Sequence, residues 1–247
     1  MNLLVAYRDD PAGSNMARQF RGDHYDLAVI PTPAVSADWL EERYDYDGYV
    51  FLSKHAAESG RLALTCHSLG NFAEARFGGN ERQVAVPHPQ LQKSYLGALA
   101  GRASEFPGFH ITIEATHHGP TALGRPAIFV EVGTTEKQWN DRRLCSSVAE
   151  VLHGVLESPA QESPVAVCFG GTHYPAKFTS ELLEGRHALG TVVPKRALEH
   201  IDEEIFSHIM ERNTGARTAL LDWDGMGPAR QKVLELVESV DLEVVRL

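Results

Sequence analysis

The sequence predicts an α/β protein: a three-layer α/β/α architecture around a mostly parallel sheet. Three observations carry this reading. Short apolar runs of strand type alternate with helical patterns along all 247 residues. Several runs, such as AIFVEV (127–132) and VAVCF (165–169), are almost continuously apolar, as strands covered on both faces are. Polar, histidine-bearing segments recur where the runs stop, which is where ligands bind in such sheets.

In order, NLLVAY (2–7) reads as the first strand, and a helix opens at Pro11 behind Asp10. DLAVIP (26–31) is the second strand, a helix follows from Ser36 through ADWLEERY, and YVFLS (49–53) is the third strand. RLALTC (61–66), FHITIEA (109–115), AIFVEV (127–132), VAVCF (165–169), TVV (191–193), TALLDW (218–223) and LEVVRL (242–247) continue the strands. Helices are expected at 89–103, 135–157, 202–213 and 228–239, the second opening on a capping box of Thr135 and Gln138. SPAQESP (158–164) reads as a surface loop, and no repeat or linker divides the chain, so residues 1–247 are expected to form a single domain.

The formal charge is −10, and Arg outnumbers Lys 17 to 6. Such a surface suits either a salt-rich cytosol or an ordinary, mildly acidic enzyme. A nucleic-acid partner would have to meet a local basic patch rather than a basic protein. No apolar run has the length of a membrane span, and the run in MNLLVAYRDD is too short for a signal peptide, so no membrane association is expected. Cys66, Cys145 and Cys168 are odd in number and scattered, which argues against a disulfide framework and for a reducing cytoplasm.

The most chemical stretch is EATHHGPTA, in which Glu114, His117 and His118 stand where a strand passes into a Gly119-Pro120 break. Histidines follow other strands too, in SKH, CHSLGN and GGTHY, so imidazoles at four strand ends are expected to converge on one site. Neutral imidazoles and carboxylates suit zinc, with His67, His88, His117, His118 and His173 as candidate ligands beside Glu114 and Glu131. No compact zinc spacing is present, so any ligand set must be gathered from distant strands, and a hydrogen-bonded structural role stays open for each His. Along its strand Glu114 shares a face with His110 and Thr112, while Glu131 stands in an apolar strand. A carboxylate so placed must be paired, and is suited to orienting a His or acting as a base; an exposed Glu on an edge strand is the plain alternative.

Other chemistries are weaker. Ser68 lacks the first Gly of a nucleophile elbow, and Cys66 and His67, as neighbours in a strand, point to opposite faces. Gly170-Gly171 follows a strand and offers backbone N–H groups to an anion, but there is no G-K-[ST] for nucleotide triphosphates. Tyr174 has the character to stack on a base and Lys177 to meet a phosphate; each is equally compatible with packing or a solvated surface.

Six blocks in order, LTCHSLGN (64–71), VPHPQLQKSYL (86–96), IEATHHGPT (113–121), IFVEVGTTEKQW (128–139), GGTHYPAKFT (170–179) and LDWDG (221–225), resemble the archaeal and plant type of D-aminoacyl-tRNA deacylase. The resemblance runs essentially the whole chain; one departure is Thr172, where a third Gly is expected. It implies a phosphorylase/hydrolase-like α/β/α fold with a mixed, mostly parallel sheet and likeness to peptidyl-tRNA hydrolases. The implied activity is zinc-dependent hydrolysis of the ester joining a D-amino acid to the 3′ end of tRNA, broad in side chain. On that basis His117, His118 and His173 hold the metal or take a proton, Glu114 orients, and His67 and Glu131 are further ligands. Gly70, Asn71, Gly170 and Gly171 are candidate oxyanion or substrate contacts, and the Gly119-Pro120 turn a candidate wall against L-amino acids. Tyr174 and Lys177 complete the substrate side, and aminoacylated tRNA, a monomer and a cytoplasmic setting are implied. Another metal-dependent hydrolase on the same fold, an amidase or peptidase, is the competing reading.

Overall fold

Residues 1–159 and 162–247 are described by a computed structural model; the expected loop at 158–164 therefore lies partly outside the described residues. The chain is α/β with mostly parallel pairing, but the strands form two principal sheets rather than one. The first comprises β1 (Asn2–Tyr7), β2 (Tyr25–Ile30), β3 (Gly48–Ala56), β4 (Ala63–His67), β7 (His110–Ile113) and β8 (Ala127–Thr134), in the order β2-β1-β3-β8-β4-β7. Between β4 and β7 in sequence lies a small pair, β5 (Gly70–Asn71) and β6 (Gln83–Val84).

The one reversal in the large sheet has a local cause. Only residues 57–62 join β3 to β4. A parallel return needs a crossover of about a dozen residues or more. So β4 runs back and pairs antiparallel with β8, opposing Thr65 to Glu131 and His67 to Phe129. β7 then pairs parallel with β4.

The second sheet is wholly parallel, in the order β10 (Ala188–Val193), β9 (Val165–Phe169), β11 (Ala216–Leu221), β12 (Glu243–Arg246). Helices α1 (Pro11–Ala17), α3 (Pro89–Gly101) and α5 (Arg142–Leu156) cover one face of the first sheet. Their apolar cluster runs from Val50, Leu52 and Val130 through Leu96 and Leu99 to Cys168, Leu189 and Val192 of the second sheet, so one core serves both. Helices α7 (Glu203–Arg212) and α8 (Arg230–Glu238) cover the far face of the second sheet, over Val167, Phe169, Ala219 and Leu221.

Three helix expectations change. The helix expected from Ser36 shrinks to a 3-10 turn and α2 (Leu40–Arg43). The segment 135–157 divides into α4 (Glu136–Trp139), with the Thr135/Gln138 capping box, and α5. The division falls at Asp141, whose carboxylate accepts from the amides of Arg143 and Leu144 and so starts a new helix. Residues Ala176–Glu184 form a helix, α6, that buries Phe178 and Leu182, in a segment where no helix is expected from the sequence.

Candidate active site

Strand alternation decides which residues can meet. On the face of the first sheet away from α1, α3 and α5, register brings together Ser53 with Glu131, His55 with Gly133, Thr65 with Glu131 and Thr65 with Thr112. Glu114, one step beyond β7, continues that row, its amide donating to the Cys66 carbonyl. The lower part of the face is apolar, with Phe51 stacked on Phe129 at 4.7 Å between ring centroids. Above it lie His55, His67, Glu114 and Glu131, all buried. The site therefore lies across a sheet face over the antiparallel β4–β8 seam, and not at the carboxyl ends of one parallel sheet as the sequence suggests. Reversal of β4 is the reason, since β4 and β8 end on opposite sides.

Two loops complete it. After β7 the chain crosses to the second sheet: the Ala115 amide donates to the His173 carbonyl at 2.8 Å and the Thr116 amide to the Val192 carbonyl at 2.9 Å. That seam delivers His117 and His118 from one side and His173 and Tyr174 from the other. The rings of His117 and His67 are 4.1 Å apart, those of His117 and His118 4.4 Å, and those of His117 and His173 4.8 Å. His118 holds a φ of 42°, unusual for a residue with a side chain, and its carbonyl accepts from the Gly70 amide at 2.8 Å.

Buried charges are paired. His173 Nε2 lies 2.8 Å from Glu114 Oε2, and His55 Nδ1 lies 3.0 Å from Glu114 Oε1 and 3.2 Å from Glu131 Oε2. His67 Nε2 is 3.5 Å from Glu131 Oε1, and His117 Nε2 is 3.8 Å from Glu114 Oε2. Burial works to lower the pKa of His55, but the two carboxylates outweigh it and raise it to about 10. His55 is thus an imidazolium between two carboxylates, and its Nε2–H donates to the Tyr174 hydroxyl at 2.9 Å. Burial, with Glu114 and Glu131 adding to it, pushes the Tyr174 phenol up to about 12, so Tyr174 keeps its proton. Burial opposes ionisation of Glu114, yet His173 and His55 hold its carboxyl well below the usual range.

The remaining imidazoles are prepared differently. Nδ1–H of His67 donates to the Ser68 carbonyl at 3.1 Å, that of His117 to Ala115 at 2.8 Å, and that of His118 to Gly119 at 2.8 Å. A carbonyl only accepts, so each Nδ1 carries a proton, and Nε2 of His117 and of His118 is left as a lone pair; burial opposes a charge on His67, but Glu131 beside its Nε2, with Glu114, raises its pKa. Burial, reinforced by neighbouring His67, keeps His117 well below its ordinary pKa and His118 at about 4, so both stay neutral. One ring nitrogen from each of His67, His117 and His118 lies within 4.8 Å of the others, and Glu114 with His117 and His173 forms a second such group. His67 Nε2 and Glu114 Oε1 are buried without an aligned hydrogen-bond partner. Imidazoles fixed through Nδ1 to backbone carbonyls, around an orphaned Nε2, fit a zinc-type cation well.

His55 is the member that the sequence reading omits from the site. The apolar run that marks the strand stops at 53, just before His55 of the SKH segment, whereas β3 runs to Ala56. Of the other predicted residues, Tyr174 adjoins the cluster through His55. Gly119 packs against the 72–82 loop, its amide donating to the Phe77 carbonyl at 3.2 Å. Two of the amides offered to an oxyanion are engaged elsewhere, Gly70 donating to His118 and Gly170 to Val193, and the Gly171 carbonyl accepts from Lys195. The Asn71 side chain donates to the carbonyls of Gly78 and Asn80. Lys177 pairs with Asp222 at 2.9 Å and donates to the Leu247 carbonyl. His88 stands apart at the start of α3, 3.3 Å from the Asn2 side chain. The Cys66 thiol faces the core, where burial raises its pKa, and Ser68 donates to the Gly190 carbonyl.

A mixed α/β scaffold carrying four imidazoles on two buried carboxylates defines a hydrolase-type centre. The model of the D-aminoacyl-tRNA deacylase family matches residues 42–245, and the chain belongs to that family. It is 57% identical to a D-aminoacyl-tRNA deacylase of Cenarchaeum symbiosum over 99% of both chains. It is 30% identical to that of Archaeoglobus fulgidus, covering 100% of this chain and 96% of the relative. A crystal structure of a conserved protein of unknown function, AF0625, matches with a TM-score of 0.93 at 30% identity, over 100% of this chain and 95% of that one.

Proposed function

We infer that this protein hydrolyses the ester between a D-amino acid and the 3′-terminal adenosine of tRNA, releasing free D-amino acid and reusable tRNA. Membership of the deacylase family supports the substrate. The observation that carries the chemistry is the Glu114–His173 pair, set at 2.8 Å beside the grouped ring nitrogens of His67, His117 and His118.

In this reading His67, His117 and His118 would hold Zn2+, with Glu131, 3.5 Å from His67 Nε2, as a carboxylate ligand and His173 at the edge of the group. Zinc held there would supply a Lewis acid that brings hydroxide within reach near neutral pH. Glu114 holds the Nε2–H of His173, which leaves Nδ1 as the lone pair that takes a proton from the attacking water. Tyr174 accepts from His55 and keeps its own O–H to donate to the carbonyl oxygen as negative charge develops there. Discrimination between D- and L-esters then falls to groups around Cα rather than to the ester chemistry, with the Gly119-Pro120 turn as the candidate wall.

We take residues 1–247 to act as a single domain and as a monomer in the cytoplasm; among the described residues no helix is long and apolar enough to cross a membrane. The test is hydrolysis of D-Tyr-tRNA and L-Tyr-tRNA side by side, with and without chelator, alongside amide and peptide substrates. Selective, chelator-sensitive release of D-tyrosine is expected. Cleavage of amides or peptides in preference to the ester would favour the amidase reading.

A further inference from the structure

Phe77 is 71% exposed, more than any other large apolar side chain among the described residues. It lies in the 72–82 loop between β5 and β6, which is tightly fastened. Asn71 Nδ2 donates to the carbonyls of Gly78 at 2.9 Å and Asn80 at 3.2 Å, and the Asn80 amide donates to Thr121 Oγ1 at 2.8 Å. Gly78 and Gly79 both hold left-handed φ values, 74° and 75°, and a Cβ on Gly79 would meet Thr121 Cγ2 at 2.7 Å. The Phe77 carbonyl accepts from Gly119, the residue after His118. An aromatic ring is thus held in water on a stiff backbone, one hydrogen bond from a loop of the reactive centre. Packing gives it no role, since it belongs to none of the apolar clusters.

Every nucleobase offers a π-face, and a fixed exposed aromatic is how proteins hold unpaired bases at strand ends. We propose that Phe77 stacks on the 3′-terminal adenine of tRNA and so presents the adjoining ester to His117, His118 and His173. This rests on the deacylase reading above. Stacking needs no phosphate contact, which suits a chain of net charge −10.

The test compares wild type, Phe77→Ala and Phe77→Trp on D-Tyr-tRNA and D-Ala-tRNA. Phe77→Ala is expected to raise KM about 5- to 100-fold on both substrates with kcat little changed, as loss of one base–aromatic stack implies, and Phe77→Trp to restore it. A second arm measures calorimetric binding of 3′-D-tyrosylamino-3′-deoxyadenosine and of the same amide on a ribose without the base. Phe77→Ala should weaken the first and spare the second. An unchanged KM, a loss confined to D-Tyr-tRNA, or equal weakening of both amides would overturn the proposal. The binding arm requires no turnover, so it judges Phe77 even where wild type fails to hydrolyse D-aminoacyl-tRNA, a failure that would count against the deacylase reading instead.

Discussion

The Tyr174 hydroxyl lies 2.9 Å from Nε2 of His55, joining a loop of the second sheet to a strand of the first. On its other side the same imidazole meets Glu114 at 3.0 Å and Glu131 at 3.2 Å. One cation therefore separates two buried carboxylates and holds the phenol that closes over them. Its charge is structural first, and the reactive geometry depends on it.

Replacing His55 with Leu leaves Glu114 and Glu131 buried side by side without that cation. Removing one partner of a buried ion pair costs about 3–5 kcal/mol. Urea denaturation at neutral pH should show a loss of this order, with activity abolished even where the variant remains folded. An unchanged midpoint would mean that the imidazolium does not bridge the carboxylates.

His117→Ala and His118→Ala each remove one of three grouped ring nitrogens. Zinc content per chain, measured by mass spectrometry of the purified protein, is expected to fall well below that of wild type in both. Turnover should fall by about 10²-fold or more, by analogy with loss of a group acting directly on the transition state. Chelation of the wild type should reproduce the loss, and added zinc should reverse it. Full metal content in both variants would exclude this ligand set.

Stability should fall on both sides of neutrality, for opposite reasons. Burial lowers His88 from 6.5 to about 4, so between those values the unfolded chain binds the proton that the folded chain refuses. That contribution is fully present above pH 6.5 and is lost as pH falls toward 4. His55, for which the carboxylates overcome burial and raise the pKa to about 10, contributes stability that is complete below 6.5 and is lost as pH rises through 10. Melting temperatures of metal-free protein across this range should show both limbs, with His88→Gln making the acid limb shallower, since buried His117 and His118 contribute to it in the same direction. A pH-independent melting temperature from 4 to 10 would contradict both assignments.

Asp10 joins α1 to β3. Its carboxylate accepts from the amides of Gly13 at 2.8 Å and Lys54 at 3.0 Å and from the Ser53 hydroxyl at 3.1 Å. Asp10→Ala removes a helix cap and orphans a strand amide beside His55, a loss of about 2–3 kcal/mol. Chemical denaturation measures it directly, and an effect under about 0.5 kcal/mol, the level of a surface substitution, would show that solvent replaces these bonds.

Much of this was legible in the sequence, where the signal is local. Continuous apolar runs mark β1, β8 and β9, and the capping pair Thr135/Gln138 marks the start of α4. Histidines after successive strands mark the residues that the fold gathers. What escaped depends on partners distant in sequence. Lys54 interrupts the apolar run of β3, yet pairing with β8 as far as Thr134 carries the strand on to His55. Gly170, Gly171 and Pro175 disguise the start of α6, although the spacing of Phe178 and Leu182 is helical. The division into two sheets has no local marker, because it follows from strand pairing. The short β3–β4 connection did carry a usable signal, since it forbids a parallel return and so forecasts the reversal that moves the centre onto the sheet face.

The seam through Ala115, Thr116, His173 and Val192 has a further consequence. A ribosome-bound chain that has emerged only as far as α5 carries Glu114, Glu131 and four of the cluster's imidazoles, but lacks His173, which pairs with Glu114. The cluster is therefore completed only when the second sheet has been made and docks on the first through these two bonds.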